Sequence, residues 1–274
     1  MNSCLITGHK GYIGSRLFSA LSPLNPYGID LKDGEDILEQ LPDVSVDVVF
    51  HTAALPRVGY SVDHPSYTLK HNVLGTSRLL EWASTHAKRV VFSSSAAAKG
   101  DGLGPTSPYG LHKLMSEMEC KLYAEIYGLD TVSLRYYNVY SEDQQFGGPY
   151  STVLSAWMEM LRRKLPLRVD GDGEQIRDFV HVDDVVRANI FCAFYEESFD
   201  GRTLDIGTGE HLSLNEIRGL IDQMHDTRWT FADPRAGDIR TSRADIKPLT
   251  NLGWCAKIDI RKGIERCFNN ANIR

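Results

Sequence analysis

Apolar residues along the chain fall into short β-branched runs separated by stretches with helical spacing. Ser3–Thr7 predicts a first strand, Gly11–Leu21 a helix, and Tyr27–Asp30 a second short strand. Ser45–His51, with Val46, Val48, Val49 and Phe50, predicts a third. A helix carrying Asn72–Ala83 leads to the strand Arg89–Ser94, and Tyr109–Tyr127 predicts a long helix that Gly128 closes. Thr131–Tyr136 is a further strand. This alternation predicts an α/β fold in which helices cover both faces of a parallel sheet.

The second half is less regular. Thr152–Arg163, Val182–Tyr195, Leu214–His225 and Ile260–Asn270 read as helices, and Leu167–Val169, Ile176–Val180 and Thr203–Ile206 as short strands. No repeat or low-complexity linker divides the chain. The pattern predicts a main domain over residues 1–140, rejoined by segments near 176–206, and a smaller discontinuous lobe over most of 141–274. Only 14 residues separate Asp30 from Ser45, too few for a helix, a strand and their connections. An edge strand and a helix are expected to be missing there.

Composition adds exclusions. The chain has 274 residues, 42% hydrophobic and 24% charged, with a net charge of -6 and no basic block, so no nucleic-acid partner is expected. The five cysteines lack C-x-x-C spacing, and the nine histidines form neither His-x-x-x-His nor a cluster with cysteine, so no metal is expected. No run approaches the ~18 apolar residues of a membrane span, and no basic leader precedes the first strand. A soluble cytoplasmic protein is expected.

The chemistry begins at Thr7-Gly8-His9-Lys10-Gly11-Tyr12-Ile13-Gly14, between the first strand and the first helix. Glycines there let the backbone turn and approach a pyrophosphate, while the helix N-terminus offers unpaired N–H groups. Asp30 ends the second strand, where a carboxylate hydrogen-bonds ribose hydroxyls and repels an added phosphate. NAD is therefore favoured over NADP, with Lys32 nearby as a counter-indication. Tyr109 and Lys113 share one helix face at four-residue spacing. An ammonium beside a phenol favours the phenolate, which then exchanges a proton with an alcohol. The spacing alone is common on helical surfaces. Its place after Val90-Val91-Phe92-Ser93-Ser94-Ser95, a strand ending where such sheets bind ligands, gives it weight.

These motifs resemble the extended short-chain dehydrogenase/reductases, specifically the NAD-dependent epimerase/dehydratase family of sugar-nucleotide enzymes with a Rossmann-type sheet. The likeness runs nearly end to end. It continues through His51-Thr52-Ala53-Ala54, Asn72-Val73-Leu74-Gly75-Thr76, and Leu134-Arg135-Tyr136-Tyr137-Asn138-Val139-Tyr140. Later come Gly171-Asp172-Gly173-Glu174-Gln175-Ile176-Arg177-Asp178-Phe179-Val180-His181-Val182-Asp183-Asp184, Ile206-Gly207-Thr208-Gly209, and Pro234-Arg235-Ala236-Gly237-Asp238. The resemblance implies a catalytic trio of Ser95, Tyr109 and Lys113. It implies cofactor contacts from Gly8, Gly11, Tyr12, Ile13, Gly14, Asp30, Asp36, Ile37, Ala53, Ala54, Asn72, Ser93 and Tyr136 as well as the Tyr–Lys pair. For the nucleotide-sugar substrate it implies Asn138, Arg177 and Arg235 on the diphosphate, Asp238 on the ribose, and Ser95 and Ser242 at the sugar. A homodimer through the helices bearing Leu74–Ala83 and Leu114–Tyr127 is implied in the same way.

Similar dehydratases and decarboxylases carry acids just after the catalytic hydroxyl, whereas this chain has Ala96 and Ala97. The resemblance thus points to an epimerase like the UDP-glucose 4-epimerases, and the small Ser242 to UDP-N-acetylhexosamines as well as UDP-hexoses. A sugar-nucleotide dehydrogenase or reductase, or a non-catalytic NAD-binding regulator, stays open as an alternative. Lys99-Gly100 departs from the family's Tyr-Gly, and Lys99 is either an exposed loop charge or a phosphate contact. Asp36-Ile37 resembles the family's adenine-contacting pair but comes early. His112 is expected to be exposed.

Overall fold

The structure, a computed structural model, describes residues 3–100, 102–144, 146–147, 152–234 and 239–271, with backbone only for 270–271. In chain order, β1 is Cys4–Thr7, α1 Tyr12–Ala20, β2 Tyr27–Ile29, β3 Val46–His51, α2 Val58–Asp63, α3 Pro65–Leu69, α4 Gly75–His86, β4 Ala87–Ser95, α5 Pro108–Tyr127 and β5 Asp130–Tyr136. Then come β6 Asn138–Tyr140, α6 Val153–Arg162, β7 Leu167–Asp170, β8 Ile176–Arg177, β9 Phe179–His181, α7 Val182–Phe194 and β10 Arg202–Ile206. The last are β11 Leu212–Ser213, α8 Leu214–Met224, β12 Trp229–Ala232, β13 Thr241–Ser242, α9 Lys247–Asn251 and α10 Ile260–Ala271. Two compact units result: Met1–Arg135 with Val185–Asp205, and Tyr136–Asp184 with Ile206–Arg274. Among the described residues, no helix is long and apolar enough to cross a membrane.

The first unit is built on a six-stranded sheet in the order β10-β5-β4-β3-β1-β2. β1 runs parallel to β2 and β3, and β3 parallel to β4. Because β2 lies on one side of β1 and β3 on the other, the strand order reverses at β1, where such sheets open a crevice at their carboxyl ends. β2 is the edge strand, and only a short 3₁₀ turn, Leu31–Asp33, occurs before β3. The missing strand and helix expected from the spacing are indeed missing. Ile37 of this short connection is buried against Gly75, whose added Cβ would lie 3.2 Å from Ile37 Cδ1. The core below joins Leu5, Ile29, Val49, Val90 and Phe92 of the sheet to Leu79, Leu80, Ala83 and Cys120 of α4 and α5.

Local signals explain the helix ends. Ser107 caps α5 by accepting the Gly110 N–H at 3.1 Å, Pro108 takes the first turn, and Gly128 ends the helix at φ 67°. The last carbonyls of α7 are met by Arg89. Its Nη1 donates to the carbonyls of Cys192 at 2.7 Å and Tyr195 at 2.6 Å, while Nε holds Asp130 Oδ2 at 2.5 Å. One predicted helix differs: Lys70–Leu74 forms a π-helical turn leading into α4, and Asn72 sits on it. Such turns bring an extra residue onto one helix face.

The second unit has its own core, with Trp157 and Met158 of α6, Val169, Phe179, Ile217, Ile221, Ile264 and Phe268. Capping boxes at Thr152/Ser155 and Ser213/Glu216 start α6 and α8. The predicted strand Ile176–Val180 is two strands, β8 pairing with β11 and β13 and β9 pairing with β6. Between them stands Asp178, fully buried, its carboxylate accepting the N–H groups of Thr208 and Gly209 and the Thr208 hydroxyl, each at 2.9 Å. That polar knot breaks the apolar run.

Candidate active site

The glycine turn after β1 packs too closely for side chains. A Cβ on Gly8, which has φ +73°, would lie 2.7 Å from Ala53 N, and one on Gly14 would lie 2.1 Å from Gly8 O. The loop after β1 thereby touches the loop after β3 across the switch point, and Ala53 and Ala54 are half-buried there. Gly11 caps α1 without a side-chain hydrogen bond, and the N-terminal end of a helix dipole favours an anion. Ile13 is buried, and half-buried Tyr12 lies under the Arg16 guanidinium at 4.6 Å from the ring centroid. These features fit a dinucleotide pyrophosphate.

Asp30 is oriented by two backbone donors, Lys10 N on Oδ2 and Lys32 N on Oδ1, both at 2.9 Å. Each oxygen keeps a lone pair for a ribose hydroxyl. The Lys32 ammonium donates to the Lys10 carbonyl at 2.9 Å, which ties down the cation that counted against NAD. Asp36 Oδ1 accepts the Leu38 N–H at 2.9 Å and so closes its own turn. Ile37 is a core side chain, which leaves its backbone for any adenine contact.

Beneath the crevice, His51 bridges Thr7 Oγ1 at 2.7 Å and Thr76 Oγ1 at 2.9 Å. Thr76 spends its proton on the Asn72 carbonyl at 2.7 Å, so it accepts from His51 Nε2–H, and Thr7 donates to Nδ1. Burial, and secondarily the Lys113 charge, push His51 down to about 3, so the imidazole is neutral. Asn72 grips Leu55 twice, accepting its N–H at 2.7 Å and donating to its carbonyl at 3.1 Å. Its amide supports the 53–55 loop.

At the end of β4, the ammonium of buried Lys113 donates to the Ser93 carbonyl at 2.7 Å. It stands 4.7 Å from the Phe92 ring centroid and 6.0 Å from that of Tyr109. Burial lowers Lys113 to about 8, against the opposing pull of the Glu117 carboxylate. Tyr109 is 8% exposed, and Ser61 Oγ accepts its N–H at 3.0 Å. Ser95 Oγ accepts the Ala97 N–H at 3.2 Å, which leaves its own proton to donate. Ser93, Ser95, Tyr109 and Lys113 are therefore gathered at one strand end. Lys99 is a partly exposed loop charge, and its ammonium is paired with Asp205 of β10 at 3.1 Å. His112 is corrected. It is 2% exposed, packed where α5 turns inward, and burial lowers its pKa.

In the second unit, Asp178 also knots the main chain. Asn138 N and Nδ2 both donate to the Asp178 carbonyl, at 3.0 and 2.9 Å, and Asp178 N donates to the Ser242 carbonyl at 3.0 Å. Arg177 pairs in register with Ser242. Asn138, Arg177 and Ser242 thus converge, and Tyr136 is buried at the end of β5. Arg235 and Asp238 lie outside the described residues.

Glu117 and Arg135 were not anticipated. Buried Glu117 accepts from Arg135 Nε at 2.8 Å and Nη2 at 2.6 Å, and from the Ser94 hydroxyl. The i, i+4, i+8 spacing of Tyr109, Lys113 and Glu117 was the available signal.

A sequence model described as the NAD dependent epimerase/dehydratase family matches residues 4–207. The chain is 33% identical over 301 residues to a putative UDP-glucose 4-epimerase of Methanocaldococcus jannaschii, covering 97% of each. It is similar to the solved UDP-N-acetylglucosamine 4-epimerase from Methanobrevibacter ruminantium M1, in complex with UDP-N-acetylmuramic acid. There the TM-score is 0.89 at 28% identity, over 97% of both chains. It is also similar to the UDP-glucuronic acid 4-epimerase from Bacillus cereus in complex with UDP-glucuronic acid and NAD. That match has TM-score 0.86 at 25% identity, over 98% of both. With most of its length matched and the dinucleotide cradle in place, this chain belongs to the NAD-dependent epimerase/dehydratase family.

Proposed function

We propose that this NAD-dependent nucleotide-sugar epimerase inverts C4 of a UDP-hexose or UDP-N-acetylhexosamine through a 4-keto sugar. Tyr109 is the acid–base group, Lys113 its electrostatic partner, and Ser95 the donor to the reacting oxygen. The observation that carries this reading is the buried Lys113 ammonium beside Tyr109 at the strand end bearing Ser95. NAD, which the glycine turn of Gly8, Gly11 and Gly14 and the Asp30 carboxylate would hold, would supply the hydride-transfer chemistry at C4. A phenol ordinarily titrates near about 10, so Tyr109 needs the Lys113 cation to accept the C4 hydroxyl proton at neutral pH. The same phenol returns that proton when the ketone is reduced. Ala96 and Ala97 have no group that moves a proton at a neighbouring carbon, which disfavours dehydration.

On this reading the first unit carries NAD and the second the nucleotide sugar. Guanidinium forks at Arg177 and Arg235 suit diphosphate oxygens, Asn138 is assigned to the same diphosphate, and Asp238 to the ribose. The small Ser242 leaves room for an N-acetyl group. A homodimer fits the exposed apolar stripe Met118, Leu122 and Ile126 on α5. A reducing cytoplasm fits the buried thiols of Cys4, Cys120, Cys192 and Cys267. The test is incubation with UDP-glucose, UDP-N-acetylglucosamine and UDP-glucuronate, with products read by NMR and no redox partner added. C4 epimers support the proposal; net NADH release instead points to a dehydrogenase.

A further inference from the structure

We propose that Glu117, clamped by Arg135, is a positioning residue for the reaction. It fixes the end of β4 that presents Ser95, and it holds the positive charge on Lys113. This rests on the reading of Ser95, Tyr109 and Lys113 as the catalytic trio.

Tyr109, Lys113 and Glu117 follow one another at single-turn intervals on α5 and therefore share a face. Two of them hold successive residues of β4: Lys113 Nζ takes the Ser93 carbonyl at 2.7 Å, and Glu117 Oε1 takes the Ser94 hydroxyl. Ser95 comes next, so its direction is set by two anchors from the helix that carries Tyr109. Glu117 is itself fixed, because Arg135 grips both carboxylate oxygens, at 2.8 and 2.6 Å. A buried ion pair is seldom the most stabilising filling for such a site, so packing alone does not account for it.

The charge also has a recipient. On its own helix Lys113 is faced by Tyr109, Glu117 and Cys120, whose thiol burial pushes up to about 12 and keeps neutral. From β3 it is faced by His51, held neutral at about 3, and from β4 by the Phe92 ring and the Ser93 carbonyl. From β5 comes Arg135, whose cation is spent on Glu117. Among these groups Glu117 is the standing anion, and it opposes the burial that drives Lys113 towards its neutral form.

The test uses the full-length enzyme with UDP-glucose and UDP-N-acetylglucosamine, reading kcat and KM against pH. Lys113 itself is titrated in parallel by 15N NMR of lysine-labelled protein. In Glu117→Gln the Lys113 midpoint and the alkaline limb of kcat move down together by about one pH unit, while KM stays within about twofold. Ser94→Ala lowers kcat and leaves the limb in place. Glu117→Gln strands the Arg135 charge, which itself pushes Lys113 down, so Glu117→Gln/Arg135→Gln is made as well; a smaller shift in the same downward direction is expected there. A Lys113 midpoint unchanged in the foldable variants overturns the electrostatic role, and unchanged kcat in Ser94→Ala overturns the positioning of Ser95. Lys113→Met separates the two levels of argument. If it retains wild-type turnover, the catalytic trio is wrong; if it is inactive while the Glu117 variants match wild type, only the inference about Glu117 falls.

Discussion

Ser242 and Arg177 are register partners on adjacent parallel strands, and the Ser242 carbonyl holds the next residue, Asp178, at 3.0 Å. Ser242 is only 6% exposed, so a larger side chain has to displace its surroundings next to Arg177. Ser242→Tyr is expected to cut kcat/KM for UDP-N-acetylglucosamine relative to UDP-glucose by ~10-fold or more, about 1.4 kcal/mol of discrimination. An unchanged ratio would remove Ser242 from the sugar site.

Tyr109→Phe keeps the ring and deletes the proton carrier. Turnover is expected to fall by ~10²- to 10⁴-fold, with NAD still recovered from the purified protein after denaturation. In the wild type, the required Lys113 cation is lost as pH rises through about 8, so kcat should decline on that side. A flat profile to pH 10 would contradict the role given to Lys113.

Gly14→Ala places a Cβ 2.1 Å from the Gly8 carbonyl, a backbone atom that cannot swing aside. The turn has to open. A loss of about 1–3 kcal/mol in stability is expected, together with poor NAD retention, measured by denaturation and by cofactor content.

His51 ties the fold to pH. Its folded pKa of about 3 lies below its ordinary value, so the unfolded chain takes the proton first. Its contribution is complete above about pH 6.5 and is lost as pH falls towards 3, at up to about 1.4 kcal/mol per unit. Buried His112 acts in the same direction. Denaturation midpoints of wild type should drop between pH 7 and 5, and His51→Gln should drop less.

Arg89→Met takes the guanidinium from Asp130 Oδ2, whose partner oxygen keeps the Phe199 N–H, and from the carbonyls at the end of α7. Breaking such a pair costs about 3–5 kcal/mol. A lowered Tm with kcat preserved well below it is expected; unaltered Tm would show that water replaces the guanidinium.

Much of this was legible in the chain. Alternating apolar runs located β1 to β5, the 14-residue gap revealed the truncated sheet edge, and the glycine spacing marked the cradle because only backbone fits there. These are local properties, set by periodicity, chain length and sterics. The split of Ile176–Val180 was hidden, since Asp178 breaks the run for partners 30 and more residues away. The Lys99 pairing was hidden because Asp205 is 106 residues away, and His112 looked solvated because elements such as α3 that pack on α5 lie far from it in sequence.

What the sequence determined alone was the alternating fold, its shortened edge, and the residue types able to do redox chemistry on a sugar. The tertiary structure alone decided which charges those residues feel. Burial against Phe92 and Ser93, and the Glu117–Arg135 pair delivered from α5 and β5, set the state of Lys113. Desolvation and Coulomb forces depend on distance in space rather than distance along the chain.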